Sequence, residues 1–174
     1  MINLSNENLP SGWEECGFKD ISEVLMGQSP PSKTYNLDGN GLPFFQGKTE
    51  FQNLYPYVKK YCSSPIRLAE KNSILLSIRA PVGATNLAPE KCCIGRGIAS
   101  FKPLGDISSE YLLYFFRSIE DFIAVSGNGT TFSAINKTYI EDIRFGLPPL
   151  KEQKRIIKRI NEIFIELDEG ITRL

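Results

Sequence analysis

The sequence predicts an α+β protein: a mixed, mainly antiparallel, β-rich domain with packed helices, followed by a long C-terminal coiled-coil helix. Three observations carry that expectation. Short apolar runs bounded by Gly, Pro and Asn fill the first hundred residues and read as strands. A three-and-four apolar stripe opens after Ser108. A heptad repeat opens after Pro148-Pro149. The expected division is 1–146 for the globular domain and 147–174 for the helix. A hydrophobic content of 41% over 174 residues suits one core of that size.

Taken in order, Trp13 to Ile21 has strand character, and Glu23 to Met26 follows as a second short strand. Gly27-Gln28-Ser29-Pro30-Pro31-Ser32-Lys33 breaks regular structure. Asp38-Gly39-Asn40-Gly41 is a turn signal, and Leu42 to Gln46 reads as the next strand. Ser73 to Ile78 is a short apolar run between turn residues, the signature of a buried strand. Ala80-Pro81-Val82-Gly83 ends it, and Ala84 to Leu87 returns as the second arm of a hairpin. Cys92 to Ile94 and Gly97 to Phe101 are further strands, closed by Pro103.

Ser108 or Ser109 can cap the helix that follows, with Glu110 in its first turn, where a carboxylate suits the helix dipole. Leu112, Phe115, Phe116, Ile119, Phe122 and Ile123 form its apolar stripe, expected to pack on the sheet. Ser126 to Thr131 is a polar loop, and Asp142 to Gly146 a last strand. Beyond the double proline, Leu150, Gln153, Ile157, Ile160, Phe164, Leu167, Ile171 and Leu174 alternate in steps of three and four. Residues 150–174 would form a helix of roughly 37 Å. Ile156 and Ile163 widen the seam. Gly170 weakens the last turn by about 1 kcal/mol relative to Ala. An exposed three-heptad seam implies a partner helix or a longer parent chain.

Composition narrows the chemistry. There is no histidine, which removes Ser-His-Asp and Cys-His catalysis and most zinc hydrolase designs. Cys16, Cys62, Cys92 and Cys93 contain no CxxC pair and read as free thiols of a reducing compartment. Met1 to Asn8 lacks the basic and apolar regions of a signal peptide, and no apolar run approaches ~18 residues. A cytoplasmic protein is expected. Net charge is zero, but it is unevenly spread. Residues 44–103 hold nine basic residues (Lys48, Lys59, Lys60, Arg67, Lys71, Arg79, Lys91, Arg96, Lys102) against Glu50, Glu70 and Glu90. Such a segment can bind phosphates although the whole chain is neutral, or it can be an ordinary solvated surface.

No catalytic constellation survives inspection. Ser29-Pro30-Pro31 is like the adenine-methyltransferase motif, but Ser32 stands where the stacking aromatic belongs. Gly127-Asn128-Gly129-Thr130-Thr131 lacks a third glycine and a lysine, so it fits neither a dinucleotide loop nor a P-loop. It could touch a DNA backbone or be a plain loop. Glu120-Asp121 and Glu141-Asp142 are sequence neighbours whose side chains diverge. A non-catalytic protein without a cofactor or metal of its own is expected.

An ordered set of segments resembles the specificity subunit of type I restriction-modification enzymes. The segments are Leu9-Pro10-Ser11-Gly12-Trp13, Gly27 to Pro31, Asn72 to Gly83, Ile94 to Ala99 with Pro103, Tyr111 to Tyr114, Gly129 to Phe132 and Ile140 to Ile143. Leu147-Pro148-Pro149-Leu150-Lys151-Glu152-Gln153, running on to Ile157, is similar to the lead-in of the family's spacer helix and is the most specific piece. Lys71-Asn72-Ser73 departs from the usual Pro-Gly-Asp. The chain also holds one such unit where a complete subunit has two.

The resemblance implies one target recognition domain that reads one part of a bipartite double-stranded DNA target. It implies a spacer helix that pairs with a second specificity half or, in a homodimer, with its own copy. Modification subunits carrying S-adenosylmethionine would dock on it, and a restriction and motor subunit using ATP and Mg would join. The expected DNA contacts are Gln28, Ser32, Lys33, Gln46, Lys48, Thr49, Arg79, Arg96, Thr130, Thr131 and Lys137. The expected helix-pairing residues are Leu150, Ile157, Ile160, Phe164, Leu167, Ile171 and Leu174. The competing reading is a protein-assembly module that acts through the helix, with no DNA specificity of its own.

Overall fold

The computed structural model describes residues 2–3, 9–127 and 135–172, with backbone alone for 2, 3, 126, 127, 171 and 172. Its strands are β1 (Ile2–Asn3), β2 (Glu14–Gly17), β3 (Ser22–Met26), β4 (Tyr35–Asn36), β5 (Leu42–Phe45), β6 (Tyr61–Cys62), β7 (Leu68–Ala69), β8 (Ile74–Ser77), β9 (Thr85–Leu87), β10 (Cys92–Ile94), β11 (Ile98–Pro103) and β12 (Ile143–Leu147). Its helices are α1 (Phe18–Ile21), α2 (Ser109–Ser118), α3 (Glu120–Gly127), α4 (Lys137–Glu141) and α5 (Leu150–Thr172). Three sheets form, in the orders β1-β12-β2, β4-β6-β5-β10-β7 and β3-β11-β8-β9. The third is wholly antiparallel, and the parallel pairs are β1 with β12 and β5 with β10. The α+β class expected from the sequence is the observed one.

The β8–β9 hairpin forms as expected, with Ile74 opposite Leu87 and Leu76 opposite Thr85. The turn before β8 has Asn72 at φ 63°, left-handed backbone that Asn tolerates better than most side chains. Lys71-Asn72-Ser73 thus makes this turn with Asn in the left-handed position.

Two expected elements are divided. Trp13 to Ile21 is not one strand. β2 stops at Gly17 and one helical turn, α1, intervenes. Its start is held by Gly17 N–H donating to Asp20 Oδ2 at 2.8 Å, and its end by the Ser22 hydroxyl donating to the Phe18 carbonyl at 2.7 Å. Phe18 and Ile21, three apart, both enter the core. The apolar stripe after Ser108 is likewise two helices. The Ser108 hydroxyl caps α2 by accepting from Tyr111 N–H at 3.3 Å. The chain leaves helical geometry at Ile119, and Phe122, on α3, lies outside the core.

The core gathers around Phe18. Its ring stacks on Phe116 at 4.3 Å and tilts against Phe101 at 5.5 Å and Phe145 at 4.9 Å. One buried cluster therefore joins α1, β11, α2 and β12, and Ile157 of α5 belongs to it too. Burying each such ring contributes about 1.5–3 kcal/mol. A second buried cluster, including Phe45, Leu75, Cys92, Ile94 and Ile98, lies between the five-stranded and four-stranded sheets. The four cysteines are buried and free. Burial pushes the Cys92 thiol up to about 12 and the Cys16 and Cys93 thiols to about 11, so all three stay protonated near neutrality. No described helix is long and apolar enough to cross a membrane.

Candidate nucleic-acid interface

The site begins with three loops laid against one another at the ends of β3, β5 and β10. Gly27 N–H donates to the Ile98 carbonyl at 2.9 Å, and Gln28 N–H to the Ile94 carbonyl at 3.1 Å. Gly95 N–H donates to the Phe45 carbonyl at 2.8 Å. Arg96 N–H donates to the Ser29 hydroxyl at 3.2 Å. A Cβ on Gly27 would collide with the Gly95 carbonyl, and one on Gly97 with the Gln46 carbonyl. The missing side chains let the three backbones touch.

The consequence is a convergence. Gln28, Gln46 and Arg96 leave adjacent loops, and all three are exposed. Arg79 joins from a fourth segment, because Ile78 N–H donates to the Gly97 carbonyl at 2.9 Å. The segment after Ile78 is pinned by the buried Ser77, whose hydroxyl lies 3.1 Å from the Arg79 carbonyl and 3.0 Å from that of Pro81. Beneath the loops, Tyr35 stacks on Phe44 at 4.6 Å and donates to the Pro30 carbonyl at 2.6 Å. Burial raises the Tyr35 phenol above its ordinary range, with the Cys62 and Cys93 thiols adding to the rise, so it remains a donor.

The other expected DNA contacts stand differently. Ser32 and Lys33 are exposed on a 3-10 turn, Ser32–Thr34, within the stretch expected to lack regular structure. Thr34 fixes that turn by donating to the Pro31 carbonyl at 2.7 Å. Thr49 donates to Glu50 Oε1 at 2.9 Å, while Glu50 Oε2 accepts from Gly47 N–H at 3.1 Å. Lys48 pairs with Glu120 at 3.8 Å and Lys137 with Glu141 at 3.4 Å. Exposed pairs of this kind are worth about 0–1 kcal/mol, so an incoming phosphate can displace them. Lys137 stands on α4, which packs against α1 and β3. Thr130 and Thr131 lie outside the described residues. Sequence reasoning missed Ser29, Tyr35 and the role of Gly27, Gly95 and Gly97. The Gly95-Arg96-Gly97 spacing was the available signal.

The C-terminal helix has two parts. Near its start Gln153 is only 3% exposed, and both ends of its amide are hydrogen-bonded. Oε1 accepts from Ser108 N–H at 3.0 Å, and Nε2 donates to the Pro148 carbonyl at 3.0 Å. One side chain thereby ties α5 to the first turn of α2 and to the proline lead-in. Ile157 is 8% exposed and Leu150 and Ile160 are half-buried. Further along, the Tyr114 hydroxyl lies 3.2 Å from Asn161 Oδ1 and its ring 6.2 Å from Phe164. Phe164 and Leu167 are 50% and 56% exposed, together with Ile163 and Ile165. Ile157 was expected to face a partner helix. It is instead buried in its own domain, because α2 already covers the seam there. Ile171 lies on α5 with its side chain outside the described residues, as is all of Leu174.

Comparison with known proteins places this arrangement. Residues 10–173 match the type I restriction modification DNA specificity domain. Over 158 residues the chain is 44% identical to a Methanocaldococcus jannaschii protein named as the type I restriction enzyme MjaX specificity subunit, covering 89% of this chain and 37% of that one. A second protein of that organism, the type I restriction enzyme MjaIX specificity subunit, is 27% identical over 161 residues, covering 85% of this chain and 37% of its own.

Among solved structures, the HsdS subunit from Thermoanaerobacter tengcongensis superposes with a TM-score of 0.84 at 40% identity, over 93% of this chain and 40% of that chain. A chain from a structure of type I R-M complex assembly and conformational transition gives a TM-score of 0.86 at 41% identity, with the same coverage. The chain spans about two fifths of the length of these relatives. Their shared match over nearly all of it establishes that the chain belongs to the type I restriction-modification DNA specificity domain family.

Proposed function

We propose that the chain recognises one part of a bipartite double-stranded DNA target and directs a methyltransferase and a restriction subunit to it. The observation that carries this reading is the convergence of Gln28, Gln46, Arg79 and Arg96 on one edge of the fold. Amides and guanidinium groups read base edges, and the surrounding lysines can position phosphates. Residues 1–146 serve as the recognition domain and 147–174 as the spacer helix. The chain performs no chemistry. S-adenosylmethionine, ATP and Mg belong to the modification and restriction subunits. The assembly works in the cytoplasm, where its DNA is.

A DNA titration followed by fluorescence anisotropy tests the proposal. Affinity should fall steeply as salt rises, because phosphate contacts release counterions. With the modification subunits present, one sequence should be preferred. Salt-independent binding, or none in the assembled complex, refutes it.

A second reading has its own observation. The exposed apolar stretch Ile163 to Leu167 suits a protein-assembly module acting through α5 without DNA specificity. That reading predicts association through the helix and equal affinity for all DNA sequences.

A further inference from the structure

We propose that Arg96 reads a guanine in the target, and that Gln28 and Gln46 read adenines beside it. The inference rests on the DNA-recognition reading above and assigns roles within the same site.

Base edges in the major groove are read by planar groups that form two hydrogen bonds at once. A guanidinium donates twice to guanine O6 and N7. A glutamine amide accepts from adenine N6 and donates to N7. Such readout requires the side chains to start from fixed positions. Arg96 does. Its own N–H is held by Ser29, Gly95 N–H is held by Phe45, and Ile98 N–H closes the turn onto the Gly95 carbonyl at 3.0 Å. The Gln46 carbonyl against Gly97 leaves the turn no room to slide. Gln28 is fixed through its N–H to Ile94, and Gln46 through its N–H to Glu50 Oε2 at 3.3 Å.

Charge separates this trio from its neighbours. Among the described residues no carboxylate forms an ion pair with Arg96. Its donor fork is therefore open to a ligand. Lys48 and Lys137 are point charges on flexible stems, already resting on Glu120 and Glu141. They suit phosphates, which ask for charge rather than for a planar fork. The Arg96 loop lies against the loops that carry Gln28 and Gln46, whose neutral amides suit neighbouring base edges and add no charge for a phosphate.

The test is a selection of bound duplexes from a randomised library, using the full chain alone and assembled with modification subunits. Wild type should enrich a half-site containing guanine and adenine. R96A should lose about 10- to 100-fold on that site and relax the preference at one guanine position only. R96K keeps the charge without the planar fork, and should relax the same position only in part, because an ammonium still donates to guanine O6 and N7. Q28A and Q46A should each relax an adenine position. Thermal unfolding monitors that the variants remain folded, as expected for exposed side chains. Uniform weakening across all sequences in R96A, with the salt slope lowered by about one, would make Arg96 a phosphate contact and overturn the proposal while sparing DNA recognition. Full retention of the guanine preference in R96A overturns it equally. A wild-type protein without any sequence preference overturns both readings.

Discussion

Leu150 to Ile160 and Ile163 to Thr172 belong to one helix and continue one apolar repeat, yet their surroundings are opposite. The first stretch lies along α2, with Gln153 and Ile157 buried. The second meets α2 at Tyr114, whose ring lies 6.2 Å from Phe164, but Ile163, Phe164, Ile165 and Leu167 stay exposed in the single chain. A heptad pattern states which face of a helix is apolar. It does not state what covers that face. Here the same stripe joins the helix to its own domain over its first turns and leaves a free apolar surface afterwards.

Breaking the inner half should cost most. Ile157→Ala removes a buried side chain of the main cluster, and a loss of about 2–4 kcal/mol is expected in urea unfolding followed by circular dichroism. Gln153→Ala should follow closely, at about 2–3 kcal/mol, since Ser108 N–H and the Pro148 carbonyl each lose a partner in a water-poor junction. Gln153→Glu is the sharper probe. Its carboxylate can still accept from Ser108 but cannot donate to Pro148, so it should recover only part of the loss.

The outer half should answer in reverse. A double replacement of Ile163 and Leu167 by Glu should move the unfolding free energy of the monomer by no more than about 0.5 kcal/mol. The same variant should lose helix-mediated association, read as mass by light scattering at several concentrations. A large stability loss without any change in mass would show that the two halves are not distinct after all.

The smallest effect belongs to the strand that leads into α5. Arg144 on β12 donates to Asp20 Oδ2 at 2.8 Å. The Gly17 N–H and then Arg144 hold the Asp20 carboxyl below its ordinary value of 3.8. A carboxylate depressed in the folded state stabilises fully above that ordinary value, and its contribution fades as pH falls through the folded value. Asp20→Asn should therefore cost about 0.5 kcal/mol near neutrality, as suits a mostly exposed pair. The gap from wild type should close in acid.

What could be read from the sequence follows the range of the interactions. The β8–β9 hairpin, the Ser108 cap and the start of α5 depend on residues close in the chain, and their patterns are visible. α1 was hidden because Phe18 and Ile21 bury on a single turn, too short for a period to show. The five-stranded sheet was hidden as well. β4, β6 and β7 have two residues each, and β5 finds β10 across almost fifty residues. The candidate site shows the same split. Gln28, Gln46, Arg79 and Arg96 could be singled out by residue type. Their meeting could not, since it depends on glycines in separate loops whose backbones approach only after the sheets pack. Ile157 illustrates the converse, a correct periodicity whose partner lies within the same domain.

The Gln153 junction also sets an angular tolerance. α5 is a helix of 23 residues, about 34 Å long at 1.5 Å per residue, whose aim is set near its start. A tilt of about 10° at Gln153 would carry the far tip, about 28 Å away at 1.5 Å per residue, through roughly 5 Å, about one and a half base-pair steps at about 3.4 Å each. A single buried amide at the base of the helix is thus placed where the smallest loss of aim becomes the largest displacement at the other end.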